Sequence, residues 1–315
     1  MRRGAARRRF LTCLSIATIF ILALIVAPAF LPGNPNTTNP SLALQAPGQN
    51  GFALGSDSLG RDVLARTIAG GSESIVLGFG VVAIILLVGT AVGLAAGYFG
   101  GAVDYVLSKV VTAFQAFPSF VLAVAIAGIL GQGIANMVIA IAAVYWTQYA
   151  RLVRGITLAF KNSECIDAAR MCGAGTPALM RKYLLPQILG PVAILSAVSM
   201  SDIILTMAGL SFIGLGPERP TNEWGSMMAE SQASFQYAIW CMLVPMAALF
   251  IAVVIFNLLG DTLRDALDIR SQDIQRRPLL VGLRRYLSKD APGRTANDMG
   301  STAAAAPRER KEKRR

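Results

Sequence analysis

No histidine occurs among the 315 residues. The chain therefore lacks the side chain that titrates nearest neutral pH and the commonest metal ligand, and most hydrolase and metalloenzyme readings fall away. Charge is scarce as well: Asp, Glu, Lys and Arg make up 15% of the residues against 54% hydrophobic ones, and the mean hydropathy is +0.54. A soluble core does not need so much apolar sequence, so lipid is the expected solvent. Acids are the scarcer sign, 18 against 29 Lys and Arg, for a net charge of +11. That excess does not indicate nucleic acid, because the basic residues sit in short blocks between apolar runs rather than along one helix face. Cys13, Cys165, Cys172 and Cys241 form no C-x-x-C pair and read as small apolar side chains. No G-x-x-x-x-G-K-[ST] loop is present to hold nucleotide phosphates.

What is present is a series of long uncharged runs. A helix needs roughly 20 apolar residues to cross a bilayer core of about 30 Å. Runs of that kind predict six transmembrane helices, at 10–31, about 75–98, 110–130, 134–150, 190–212 and 237–260. The stretch Val110–Ala150 carries no charge and is too long for one crossing. Gly128, Gly131, Gly133 and Asn136 offer a reversal within it, so it is read as two helices. Gly78, Gly80, Gly89, Gly93 and Gly97 in the second span would let neighbouring helices approach closely.

Basic residues favour the cytoplasmic side of short loops, and their positions set the topology. Arg2, Arg3, Arg7, Arg8 and Arg9 form a basic N-terminus, 1–9, before the first span. Further inside segments hold Lys109, then the basic residues of loop 151–189, then every basic residue from Arg264 onward. The outside loops, including the long one at 32–73, hold only Arg61, Arg66 and Arg219. Both termini are accordingly expected in the cytoplasm. The first span also fits a signal peptide ending in Ala27-Pro28-Ala29, but its apolar run is long for one and Pro28 sits inside the cleavage site, so retention is expected. The tail 271–315 turns to Arg, Lys, Ala and Pro and is expected to be disordered.

Loop 151–189 carries readable punctuation. A helix can run through Asp167-Ala168-Ala169-Arg170 and end at Gly173 and Gly175. Thr176 can cap a second helix with Pro177 in its first position, and Pro186 stops or bends that helix. By itself this pattern fits an ordinary solvated loop. One intramembrane acid, Asp202, lies roughly 17 Å into the fifth span if the helix begins near Pro191. A charge at that depth must face the translocation path or a partner chain, and the sequence leaves both open.

The order of these residues resembles a known family. Asp167-Ala168-Ala169, three residues, Gly173, nine residues and Tyr183-Leu184-Leu185-Pro186 resemble the EAA motif, E-A-A-x3-G-x9-I-x-L-P, of ATP-binding-cassette importer permeases. Asp167 replaces Glu and Tyr183 replaces Ile. The stretch from Gly55 to Leu64 resembles G-T-D-x-x-G-R-D-V-L of dipeptide and oligopeptide permeases. Tyr149-Ala150-Arg151-Leu152-Val153-Arg154, Gly209-Leu210-Ser211-Phe212-Ile213-Gly214 and Phe256-Asn257-Leu258-Leu259-Gly260-Asp261 extend the likeness over about residues 50–270.

The resemblance implies an all-α polytopic membrane protein with the type I importer permease fold, its core at 74–270. It makes Asp167, Ala168, Ala169, Gly173, Tyr183, Leu185 and Pro186 a coupling helix that docks on an ATPase. It also implies a non-catalytic chain without catalytic residues, metal or cofactor of its own, with ATP and Mg on partner ATPase subunits. The implied partners are a homologous second permease, two ATP-binding subunits, an extracytoplasmic peptide-binding protein and membrane lipid, in a bacterial inner membrane. Di- or oligopeptides are the expected substrates, with nickel chelates or glutathione as alternatives. A secondary transporter is the weaker rival, since Asp202 alone is thin support for an ion-coupling site.

Overall fold

The computed structural model describes residues 2–30 and 34–289, with side chains within 8–30 and 34–267. The chain divides into two compact units, Met1–Leu267 and Asp268–Arg315. Ten helices are described: α1 (Arg2–Val26), α2 (Val63–Phe99), α3 (Gly101–Gln115), α4 (Ser119–Leu130), α5 (Ile134–Phe160), α6 (Glu164–Met171), α7 (Thr176–Leu179), α8 (Leu185–Phe212), α9 (Trp224–Ser231) and α10 (Trp240–Lys289). The only extended pairing among the described residues is an isolated antiparallel bridge between Ser56 and Asp62.

Helices α2, α5 and α8 form the centre of the first unit, around Ile85, Ile141, Tyr149, Met200 and Ile203. The α2–α5 seam follows from glycine spacing. Gly89, Gly93 and Gly97 fall four apart on one stripe of α2. A Cβ at Gly93 would lie 2.6 Å from Ala150 O, and one at Gly97 2.6 Å from Thr157 Cβ. The two backbones therefore approach to a distance only glycine permits, as close packing in lipid favours. Between α5 and α8, the Tyr145 and Thr206 hydroxyls share a hydrogen bond of 2.8 Å. Ser201 Oγ donates to Val253 O at 3.2 Å and joins α8 to α10.

Four helical stretches are long and apolar enough to cross a membrane: Arg8–Phe30, Val63–Phe99, Thr176–Phe212 and Trp240–Leu267. A fifth arises when α3 and α4 count as one broken span. The remaining expected span, 134–150, coincides with α5, which at 27 residues is about 40 Å long. Its run Tyr145-Trp146-Thr147-Gln148-Tyr149 dilutes the hydropathy.

The reading of 110–130 as one straight helix is corrected. α3 ends at Gln115, α4 begins at Ser119, and the two meet at 90°. Pro118 lacks the amide hydrogen that would continue the ladder and pushes Phe117 out of helical backbone. The expected reversal before 134 is present. Gly131 adopts φ +82°, and Asn136 Nδ2 donates to Leu130 O at 2.9 Å and to Gln132 O at 3.1 Å. The tail, expected to be disordered from Ser271, is helical in its backbone as far as Lys289, and 290–315 lie outside the described residues.

Candidate functional site

Three places gather the residues singled out in the sequence: the α6–α7 loop, the expected outer cap and the middle of α8. In the loop, α6 buries Ile166 and Ala169 and leaves Asp167, Ala168, Arg170, Met171 and Cys172 exposed. Met171 is 85% exposed, large for an apolar side chain at a helix end. Gly173 turns the chain at φ +82°, with its amide bonded to Arg170 O at 2.9 Å. Gly175 does not need its freedom, since its φ is −72°.

The expected cap shifts by one residue. Gly175 takes the capping position, so Thr176 is the first helical residue and Pro177 the second. The Thr176 hydroxyl instead accepts a hydrogen bond from Tyr98 Oη at 3.4 Å, tying the loop to the end of α2. Beyond α7 the chain makes a widened turn over Met180–Leu184, in which the Leu185 amide reaches back five residues to Met180 O. Pro186 cannot donate the next helical bond, which accounts for a distortion at this place. Tyr183 and Leu185 are half-buried, Pro186 is exposed, and the helix then runs into α8 without a stop. The exposed Asp167, Ala168 and Gly173 thus share a surface with Met171, whereas Ala169 supports it from beneath.

Close to this loop, Arg154 pairs with Asp104 through Nε to Oδ1 and through Nη2 to Oδ2 at 2.8 Å. Both lie outside the expected spans. The Arg154 hydrogen bond holds the Asp104 carboxyl below the usual carboxylate range.

At the opposite end, the Gly55–Leu64 stretch folds against the ends of α9 and α10. Ser56 O accepts from Trp240 Nε1 at 3.2 Å, and Asp62 caps α2 by accepting from the Leu64 amide at 2.8 Å. Behind it lies a buried ionic cluster that sequence reasoning did not assemble. Asp57 Oδ2 accepts from Arg61 Nε at 2.6 Å and from Arg66 Nη1 at 2.8 Å. Glu230 Oε2 accepts from Arg61 Nη2 at 2.6 Å and from Arg66 Nη1 at 3.0 Å. Arg66 completes its donors with Asn222 Oδ1 at 3.1 Å and Thr221 O at 2.8 Å. Arg219 Nε lies 3.5 Å from Glu230 Oε1. The three basic residues that broke the inside bias are thus the three that meet acids here.

Asp202 stands in the middle of α8 with its side chain exposed on the surface of the single chain. Leu195, Asp202 and Gly209 are seven residues apart and share one stripe of the helix.

Residues 89–272 match the family described as binding-protein-dependent transport system inner membrane component. The chain is 35% identical over 272 residues to the oligopeptide transport system permease protein OppC of Haemophilus influenzae, covering 84% of this chain and 88% of that one. It is 38% identical over 255 residues to the dipeptide transport system permease protein DppC of Alkalihalophilus pseudofirmus, covering 81% and 84%. It is 39% identical over 215 residues to the glutathione transport system permease protein GsiD of Pectobacterium atrosepticum, covering 68% and 71%. Among solved structures, a chain of the inward-facing MetNI methionine ABC transporter superposes with a TM-score of 0.51 at 19% identity, over 64% of this chain and 97% of that one.

Proposed function

Because the chain belongs to the family of binding-protein-dependent transport system inner membrane components, we propose that it forms half of the path by which an ATP-binding-cassette importer moves short peptides. The carrying observation is the similarity to dipeptide and oligopeptide permeases over more than four fifths of the chain. A homologous permease supplies the other half, and an extracytoplasmic binding protein delivers the ligand. Two partner ATPases hold ATP and Mg. Glutathione is the second reading, favoured by the similarity to a glutathione permease; as a tripeptide it falls in the same ligand class.

The chain spans the membrane six times, α5 included, with both termini in the cytoplasm and the α6–α7 loop facing the ATPase. Asp167, Ala168, Gly173 and Pro186 present the docking surface, with Ala169, Tyr183 and Leu185 setting its shape. Met171 joins that surface as an apolar knob, 85% exposed. Its support is mechanical: a short rigid helix that is tied to α2 and continuous with α8 passes displacement on as a rigid-body movement. ATP-dependent peptide uptake by proteoliposomes holding both permeases, both ATPases and the binding protein tests the proposal. Uptake that persists with the ATPases inactivated overturns it.

A further inference from the structure

Helix α3 is set off from its neighbours at both ends and packs with a gap behind it. Gly100 and Gly101 turn the chain into it at φ +68° and +52°, and the non-helical residues 116–118 separate it from α4. Val111 is its one buried residue. Between α3 and the α2–α5 seam lies a pocket of about 80 Å³, bordered by Val92 and Ala96 of α2, Ser108 and Thr112 of α3, and Arg151 and Arg154 of α5. Thr112 and Arg151 are exposed, so the pocket opens to the surface on their side. Its volume is that of about two or three water molecules, room for a phosphate group.

The charge at the pocket is positive. Asp104 neutralises Arg154 through Nε and Nη2, and no acceptor faces Arg154 Nη1 among the described residues. Arg151 makes no ion pair among the described residues. Lys161 Nζ adds a second positive charge one residue beyond Ala96, where it donates to Gly97 O at 3.0 Å. The Ser108 and Thr112 hydroxyls already donate, to Asp104 Oδ1 at 3.1 Å and to Ser108 O at 2.8 Å. The donors left for an anion are the two guanidinium groups.

Depth and surroundings identify what carries that anion. Ala96 stands about 5 Å before the end of α2 at Phe99, the end that Tyr98 ties to the α6–α7 loop. Arg154 and Lys161 at the same level mark it as the water-facing end of the span. In the other direction Val92 continues into Val88 and Ile84, four residues apart on one stripe of α2 and 44% and 41% exposed. That stripe runs about 12 Å toward the middle of the span. A soluble phosphate would leave it bare, whereas an acyl chain covers it. Basic pockets between transmembrane helices at the membrane surface suit anionic lipid headgroups.

We propose that this pocket is a headgroup site for an anionic phospholipid in the leaflet on the side of the α6–α7 loop. Its phosphate oxygens accept from Arg151 and from Arg154 Nη1, and one acyl chain lies along Val92, Val88 and Ile84. A zwitterionic lipid brings an ammonium group to a place that is already positive, so an anionic headgroup is preferred. Lipid seated there fills the gap behind α3 and braces it against the α2–α5 seam. The site is independent of what the transporter carries.

The test is photocrosslinking of the complex of both permeases and both ATPases in phosphatidylcholine nanodiscs. Two probes are compared, phosphatidylglycerol and phosphatidylcholine with the same diazirine-bearing acyl chain, and mass spectrometry reads their attachment at 84–92. The exposed apolar face of α1 at 14–22 is the reference for ordinary lipid contact. The ratio of phosphatidylglycerol to phosphatidylcholine labelling at 84–92 should exceed that at 14–22 at least about tenfold, as expected for a hydrogen bond to a charged group. Arg151→Gln should bring the ratio down to that of α1, and Arg151→Lys should keep most of it, which separates charge from folding. Excess glycerol 3-phosphate should leave the labelling unchanged. Equal ratios at the two segments, or a ratio that survives Arg151→Gln, overturns the headgroup site. Displacement of the probe by glycerol 3-phosphate overturns it in favour of a soluble phosphate, and absence of label at 84–92 in favour of cover by another subunit.

Discussion

Arg66 donates four hydrogen bonds in this cluster, to Asp57, Glu230, Asn222 and Thr221, and it is 2% exposed. Removing one partner of a buried charge cluster costs about 3–5 kcal/mol, because the groups left behind stay buried and uncompensated. Arg66→Met should therefore lower the unfolding temperature of the purified complex by several degrees, whereas replacing Asp57, Arg61, Arg66 and Glu230 together by apolar residues should cost much less. Thermal unfolding in detergent checks both. The Asp104–Arg154 pair is partly exposed, 21% and 35% for the two side chains, and contributes about 0.2–1 kcal/mol. Its carboxyl is held below the ordinary value of about 3.9. That stability is therefore complete above the ordinary value and disappears as pH falls through the depressed one. Unfolding followed from pH 6 down to pH 3 should show this acid-side loss in the wild type and a smaller one in Asp104→Asn. The sequence announced Arg61, Arg66 and Arg219 as basic residues in the wrong loops for the inside bias. It did not announce Glu230, because a partner 164 residues away from Arg66 has no local signal.

Among the helices, the α2–α5 seam was legible from glycines four apart, since that spacing puts small residues on one stripe whatever the partner. Gly93→Leu must push α5 away or force α2 to shift, at about 1–3 kcal/mol or more for an overpacked site. Reduced yield of assembled complex and a lower unfolding temperature should follow, while Gly80→Leu, with open space around it, should be tolerated. Gly173 has room for a side chain but stands at φ +82°, so its constraint is backbone rather than space. Gly173→Val should uncouple ATP hydrolysis from uptake while membrane insertion survives. Gly173→Asn should retain more transport, because Asn enters left-handed backbone more readily. Uptake and ATPase rates measured in the same proteoliposomes check the pair. The 90° break at Pro118 escapes the sequence reading for a different reason: run length and the glycine cluster at 128–133 divide the uncharged stretch into two spans, and neither signal registers a single proline within one of them.

Across the whole molecule, the proposed orientation makes opposite ends of the chain reachable from opposite sides. Cys165 and Cys172 are exposed on the α6–α7 loop, whereas Cys241 is buried. A membrane-impermeant maleimide should leave Cys165 and Cys172 unlabelled in intact cells and label them once the membrane is opened. A cysteine replacing Gln49, exposed in the outer loop, should be labelled in both. Reversed labelling overturns the orientation. Apolar run length and the placement of Lys and Arg determined most of the span pattern and the expected sidedness, because both report a segment's own transfer between water and lipid and need no partner in the fold. Ordered motifs added the family, since their spacing survives wherever the loops bend. The four-residue charge cluster was decided only when distant segments packed. It depends on contacts between residues far apart in the chain, and a linear pattern carries no record of which distant group will be near.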